Sequence, residues 1–258
     1  MTSEVDTENE PERARDRDHT YDVVVVGGGV AGLSAALFLA RHGLATLVLD
    51  RGESILRRNA HLENFPGFPA GINARQFLDL LGEQAAAAGT IRRDARVTRV
   101  DRTESGFAVT TADGTRFHAR YVVAATKNAV DYLRGIDGVG IIDRGKAFID
   151  TDERGHTGVE GLYAAGRLAE KPHQAIVCAG HGAEVGVTIL EDDDRPFYHD
   201  WVAPEGYFTE RGRDVPPGCE EIAATERRDR EADALDTLCD RFADPDPDDQ
   251  ETHPSLTD

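Results

Sequence analysis

The clearest hydrophobic pattern in the chain is Tyr21–Val26 (YDVVVV). It is a continuous β-branched run without alternation, which suits a parallel strand buried on both faces. Gly27–Gly32 follows as a turn. From Ala31 to His42 apolar and small residues read as a helix, and Gly43 stands where such a helix ends. Ala45–Leu49 (ATLVL) is a second buried strand that closes in Asp50. The pattern predicts a βαβ unit of about 30 residues.

Further along, Ala74–Ala88 reads as a helix stopped by Gly89. Arg96–Arg102, Phe107–Thr111 and Thr115–Arg120 alternate as strands, with Asp113-Gly114 as a hairpin turn. Tyr121–Ala125, Ala147–Asp150 and Leu162–Ala165 are short buried strands, and Ala175–Leu190 is a helix rich in small residues. Ile222–Phe242 carries Leu235, Leu238 and Phe242 on a helical spacing. These elements predict an α/β fold: a Rossmann-like dinucleotide-binding fold with a central parallel sheet and a small antiparallel β-meander. Four segments follow. Residues 1–20 form a disordered acidic arm and residues 21–190 the binding domain. Residues 191–242 form an ordered extension with a helix, because Phe197, Tyr198, Trp201, Tyr207 and Phe208 are rarely spent on disorder. Residues 243–258 hold six acidic side chains, no Lys or Arg and three prolines, and read as a disordered acidic tail.

Charge narrows the partners. The chain has 48 acidic against 29 basic residues, a net charge of −19, which disfavours nucleic acid and anionic membranes. Arginine dominates the basic residues; the lysines are Lys127, Lys146 and Lys171. An acidic, lysine-poor surface resembles proteins of high-salt cytoplasms, where salt screens self-repulsion; the alternative is that the acidic tails carry the excess. No apolar run approaches the ~20 residues that span a bilayer. The first twenty residues lack the apolar stretch of a signal peptide. A cytoplasmic protein is the expectation. Cys178, Cys219 and Cys239 are far apart, so free thiols are expected and neither a Cys-x-x-Cys pair nor a metal site is supported.

The chemistry sits in the first turn. Gly27-Gly28-Gly29-Val30-Ala31-Gly32 is G-x-G-x-x-G between a buried strand and a helix, and Asp50 ends the second strand 18 residues past Gly32. Gly27 permits the tight turn, Gly29 lets backbone approach a pyrophosphate, and Gly32 lets helix and strand pack closely. The amides of Val30 and Ala31 belong to the helix N-terminus, which attracts the diphosphate. Asp50, followed by Arg51, is placed to accept from adenosine ribose hydroxyls. These residues alone would serve NAD or FAD.

Five further segments resemble the thioredoxin reductase family of FAD-dependent pyridine nucleotide-disulfide oxidoreductases, over Tyr21 to Leu190. Glu63-Asn64-Phe65-Pro66-Gly67 resembles a segment whose Asn lies by the flavin. Arg96–Arg102 matches a strand whose backbone, here at Val97, meets the adenine. Ala125-Thr126 matches the start of an A-T-G segment. Thr157–Gly166 matches the second FAD motif, with Arg167 in the place of its Asp, and His173-Gln174-Ala175 resembles an R-Q-A at a helix start facing the flavin ring. The resemblance implies FAD as cofactor, held by Gly27, Gly29, Val30, Ala31, Gly32, Asp50, Arg51, Asn64, Val97, Ala125, Thr126, Gly166, Arg167, Gln174 and Ala175.

The sequence departs from that family in three ways. Thr126 and Thr157 are about 30 residues apart, too few for the family's NADPH domain, which takes on the order of 100 residues. Arg167 offers donors only, where the family has a carboxylate; pairing with the pyrophosphate is open to it. Lys127 replaces the A-T-G glycine and Ile55 a flavin-side Gln. The reading is therefore a flavoprotein oxidoreductase whose electron donor, a small molecule or a protein, is external. A non-catalytic FAD module or subunit of a redox complex is the alternative, and a degenerate fold without FAD the third. No catalytic residue is named. His173, Cys178 and His181 are the polar groups nearest the expected ring, with a packing role as the blander alternative for Cys178 and His181; His61, just before Glu63-Asn64, carries the same alternative. Trp201, Tyr207 and Phe208 are expected to cover the bared flavin face or to form a homodimer contact.

Overall fold

The computed structural model describes residues 19–246 and 248–256. Residues 1–18, where most of the expected arm falls, lie outside the described residues. The Tyr21 run forms the centre of the molecule as strand β1 (His19–Val26), whose Val23, Val24 and Val25 are wholly buried. Alternate side chains point to opposite layers, as strand geometry requires. Val24 and Val26 face one hydrophobic cluster, and Val23 and Val25 face the helices on the other side. Both faces are covered, which explains the unbroken apolar run.

Helix α1 (Val30–Arg41) crosses from β1 to β2 (Thr46–Asp50), which pairs parallel to β1. Helix α2 (Ala74–Ala87) starts where Asn73 Oδ1 accepts from the Arg75 and Gln76 amides, an N-cap its side chain is suited to supply. It leads to β3 (Ile91–Asp94), then to β4 (Val97–Thr103) and β5 (Gly106–Thr111). β6 (Arg116–Ala124) is one nine-residue strand where the sequence pattern suggests two. It changes partners along its length: Arg116–Ala119 pair antiparallel with β5, and Val122–Ala124 pair parallel with β9 (Leu162–Ala164). No residue between the halves interrupts the backbone, so the meander and the parallel sheet are continuous. The sheet runs β3-β2-β1-β6-β5-β4, with β9 beside β6.

Between Ala124 and Leu162 the chain forms a 3-10 turn (Asp131–Leu133) and an antiparallel hairpin of β7 (Ile141–Asp143) and β8 (Ala147–Ile149). Helix α3 (Ala175–Asp192) packs across α1. Its glycines allow the close approach: a Cβ on Gly182 would sit 2.1 Å from the Ala31 carbonyl oxygen, and one on Gly186 3.0 Å from Phe38 Cβ.

The extension is less coil than its composition implies. β10 (Trp201–Pro204) and β11 (Cys219–Ile222) pair in parallel. Arg195 Nη2 donates to Asp22 Oδ1 at 2.8 Å, and Arg120 pairs with the wholly buried carboxylate of Asp193. Trp201, Tyr207 and Phe208 pack edge-on against one another, with ring centroids 4.7 to 5.5 Å apart. Their strand is tied to the C-terminal end of α1 by the Arg41–Asp200 ion pair. This places Trp201 near the C-terminal end of α1, opposite its glycine-rich N-terminus. Helix α4 (Ala224–Arg241) buries none of its residues in this chain, and Leu235, Leu238 and Phe242 are exposed. It is tethered through Arg241, which pairs with Glu83 and accepts from Gln76 Nε2 at its carbonyl. Beyond it, the Glu251 amide donates to the Arg57 carbonyl. Among the described residues no helix is long and apolar enough to cross a membrane.

Candidate functional site

The carboxyl ends of β1, β2, β6 and β9 open on one side, the usual ligand crevice of a parallel sheet. The glycine turn forms its floor. Gly27 has φ +107, and a Cβ there would lie 2.7 Å from the Ala125 carbonyl oxygen. A Cβ on Gly32 would lie 1.9 Å from the Gly27 oxygen. Both positions exclude any other residue for reasons internal to the fold. Gly29 differs. Its φ of −79° and ψ of −175° are ordinary extended backbone, and a Cβ would meet only Ser54 Oγ, at 3.5 Å. Nothing in the fold demands a glycine there, so what it leaves free is space for a ligand.

The first helical bond of α1 runs from Leu33 N–H to the Gly29 carbonyl at 2.9 Å. The amides of Val30, Ala31 and Gly32 precede it and have no intrahelical acceptor. No acidic residue occupies the first turn of α1. The result is a bare, positive helix terminus suited to an anion.

The other residues singled out by sequence are arranged around this turn in two groups. On the β2 side, Gly28 is pressed against the Asp50 carboxylate, where a Cβ would be 2.6 Å from Oδ2. Asp50 Oδ2 accepts from Arg92 Nη2 at 2.6 Å. The Asp50 side chain is 9% exposed and keeps Oδ1 for another donor. The Ala95 amide donates to the Asp50 carbonyl at 2.9 Å, which brings Val97, the first residue of β4, near the end of β2. Arg51 turns outward and pairs with Glu53. On the β6/β9 side, a Cβ on Gly166 (φ +64) would be 2.6 Å from Ala31 Cβ, so the second glycine turn abuts the first. Ala125 donates its amide to the Val26 carbonyl. Thr126 Oγ1 bonds the Ala129 carbonyl and Tyr132 Oη, which fixes the turn after β6. Asn64 Nδ2 donates to Gln174 Oε1 at 2.8 Å, joining two segments 110 residues apart at the start of α3, where Ala175 is the first helical residue. Residues 63–69 line an open depression of about 480 Å³ there.

Arg167 contacts Phe148 and Lys171. Its guanidinium lies 4.7 Å from the Phe148 ring centroid, and Nη1 donates to the Lys171 carbonyl. Cys178 is buried, and its thiol donates to the Pro172 carbonyl; burial raises its pKa, unlike that of a reactive thiolate. His181 is 4% exposed, and burial lowers its pKa to about 4. It is therefore neutral, and its Nδ1 accepts the Gly166 amide at 2.9 Å. His181 thus pins the second glycine turn. His173 is exposed, and desolvation followed by Lys127, Arg167 and Lys146 lowers its pKa. His61 pairs with Glu63 at the surface. Sequence reasoning missed Arg92 and Ser54. No motif marks either one; Arg92 lies on the polar strand β3, which has no apolar pattern to betray it.

Residues 21–126 and 76–182 match the pyridine nucleotide-disulphide oxidoreductase family. The thioredoxin reductase of Aquifex aeolicus (strain VF5) is 32% identical over 138 residues, which is 49% of this chain and 43% of that protein. An NAD(P)H sulfur oxidoreductase (CoA-dependent) of Pyrococcus abyssi (strain GE5 / Orsay) is 30% identical over 160 residues, 61% of this chain and 32% of that protein. The chain thus spans less than half the length of these curated relatives. Among solved structures, a thioredoxin reductase from Gloeobacter violaceus superposes with a TM-score of 0.63 at 19% identity, over 72% of this chain and 100% of that one. The thioredoxin reductase of T. acidophilum gives 0.62 at 19%, over 68% and 99%. At these identities the likeness is one of fold.

Proposed function

The chain belongs to the pyridine nucleotide-disulphide oxidoreductase family, and from that premise we propose that it is an FAD-binding flavoprotein oxidoreductase whose electron donor is external. The observation that carries this is Gly29, a glycine with ordinary backbone and open space before it at the bare N-terminus of α1. The residues present fit a dinucleotide: three amides without intrahelical acceptors, a carboxylate with one oxygen free, and two glycine turns in contact.

In this reading the amides of Val30, Ala31 and Gly32 hold the diphosphate, and Asp50 Oδ1 accepts from the adenosine ribose. Val97 backs the adenine. Asn64, held by Gln174, and the start of α3 orient the ring; a helix N-terminus there favours negative charge on it. Bound flavin supplies the electron transfer itself, and the chain supplies position and electrostatics. His181 keeps Gly166 in its left-handed turn and, being neutral, adds no charge there.

The external donor is proposed because residues 125–161 form only a 3-10 turn and a hairpin between β6 and β9, where the resembled family carries its NADPH domain. The same feature supports a second reading, a non-catalytic FAD module of a larger redox complex. Anaerobic titration of the FAD-loaded protein with NADPH and with dithionite tests the enzyme reading. Bleaching of the flavin by NADPH is expected for an enzyme fed by free nicotinamide. Bleaching by dithionite alone would leave a protein donor or the passive module.

A further inference from the structure

The chain carries 48 acidic against 29 basic residues. Arg57 pairs with Asp79, Arg144 with Glu170 and Arg154 with Glu191. Arg58, Lys127, Lys146 and Arg167 do not, and no described carboxylate forms an ion pair with any of them. The chain brings the segments of Lys127, Lys146 and Arg167 together. Asn128 Nδ2 donates to the Ala147 carbonyl at 3.0 Å, fastening the residue after Lys127 to the residue after Lys146. Arg167 stacks on Phe148, the next residue of the same strand. Arg58 ends the 3-10 turn Ile55–Arg58 beyond β2, and its Nε is buried without a partner. After desolvation, Arg58, Lys146 and Arg167 are the groups that lower the pKa of Lys127.

Such a convergence of like charge opposes folding unless an anion joins it. Backbone geometry adds to the case: Lys127 has φ +62, a left-handed conformation in which a side chain is disfavoured and glycine is not. A lysine is kept there nonetheless. The diphosphate of a bound dinucleotide does not account for four cations. It carries about two negative charges and already faces free amides and roughly half a positive charge at the start of α1. The described part of the acidic tail reaches Arg57 through the Glu251 amide, but forms no ion pair with Arg58.

We propose that Arg58, Lys127, Lys146 and Arg167 form a second anion site, beside the glycine cradle, for the phosphates of a diffusible phosphate-bearing ligand. Compact phosphate is favoured over an acidic protein surface because the net charge of −19 repels the latter at long range. The inference rests on the proposed function only in placing that ligand next to a bound flavin.

Calorimetric titration with inorganic pyrophosphate tests it. Wild type, Lys146→Gln, and Lys127→Gly are compared after saturation with FAD, and visible absorbance of each sample records its flavin. Lys146 is exposed in a hairpin, and Lys127→Gly relieves a left-handed backbone, so both variants should fold. One pyrophosphate per FAD-loaded wild-type chain is expected, with affinity falling as KCl rises and dropping about tenfold in each variant. Unchanged affinity in both variants would overturn the site. So would displacement of pyrophosphate by FAD, which would assign the four cations to the cofactor's own diphosphate. A colourless sample that takes up no FAD would sink the proposed flavoprotein function, while loss of pyrophosphate binding in the variants would still support the anion site.

Discussion

Two glycines in α3, two residues apart, should respond in opposite directions to the same substitution. Gly180 is exposed, with nothing within 4 Å of the position a Cβ would take, whereas a Cβ on Gly182 would lie 2.1 Å from the Ala31 oxygen and 2.7 Å from its carbonyl carbon. Alanine in a helix interior is favoured over glycine by roughly 0.5–1 kcal/mol, so Gly180→Ala should stabilise by about that amount. Gly182→Ala has the same gain, but must push two backbones apart by more than an ångström to reach ordinary contact. Overpacking costs about 1–3 kcal/mol, and backbone on both sides places this case at the upper end. The expected gap between the variants is about 2–3 kcal/mol. Urea unfolding with matched m-values reads it, as does a difference in melting temperature of several degrees. Because Ala31 belongs to the glycine cradle, Gly182→Ala should also weaken FAD uptake. If both variants shift stability in the same direction, the argument that small residues on α3 set the α1–α3 distance is wrong.

Three further outcomes follow from charge. Glu221 accepts from the amides of Gly206, Phe208 and Thr209 and from Thr209 Oγ1; desolvation opposes these bonds, but they win and lower its pKa from 4.5 to about 2. A depressed carboxylate stabilises above its unfolded pKa, so the advantage of wild type over Glu221→Gln should hold at neutral pH and vanish as pH falls from 4.5 toward 2. His156 bridges Asp152 and Asp192, while Tyr163 Oη also donates to Asp192. Desolvation lowers the pKa of His156, but the two carboxylates outweigh it and the net shift is upward. Its stabilisation is therefore full below 6.5 and lost as pH rises through the raised value; denaturation of wild type and His156→Gln across that window should converge at high pH. Finally, if the net charge of −19 is an adaptation to concentrated salt, the unfolding midpoint should rise steadily with KCl; a flat or falling midpoint would assign the acid excess no such role.

The first βαβ unit was legible because three independent signals coincide in it: an unbroken valine run, glycines at fixed spacing, and an acid at the end of the second strand. The sequence marks α3 as rich in small residues, but which of its glycines meet α1 is set by the packing: Gly182 and Gly186 do and Gly180 does not. What was not legible depended on partners far away in sequence. β3 has the sequence IRRD and is exposed throughout, so no periodicity marks it; it exists because β2 offers it an edge. β6 reads as two strands because its two halves serve two different neighbours. The aromatic residues of the extension pack on one another, and their position at the C-terminal end of α1 is set by the Arg41–Asp200 pair, which spans 159 residues. Arg167 read as open to pairing with the pyrophosphate by its charge; its stacking on Phe148 carries no sequence mark. Its gathering with Arg58, Lys127 and Lys146 is likewise visible only in three dimensions.

The central claim is that the space before Gly29 exists for a dinucleotide. Gly29→Val tests it, because the fold places no demand on that position: φ is −79° and the nearest atom to a Cβ is Ser54 Oγ at 3.5 Å. The measurement is visible flavin absorbance after incubation with FAD and gel filtration, alongside thermal unfolding of the unliganded proteins. Wild type should emerge yellow, and the variant colourless yet cooperatively folded, with a melting temperature lowered by no more than an N-cap substitution costs. A wild type that takes up no FAD, or a variant that holds it equally well, would contradict the account.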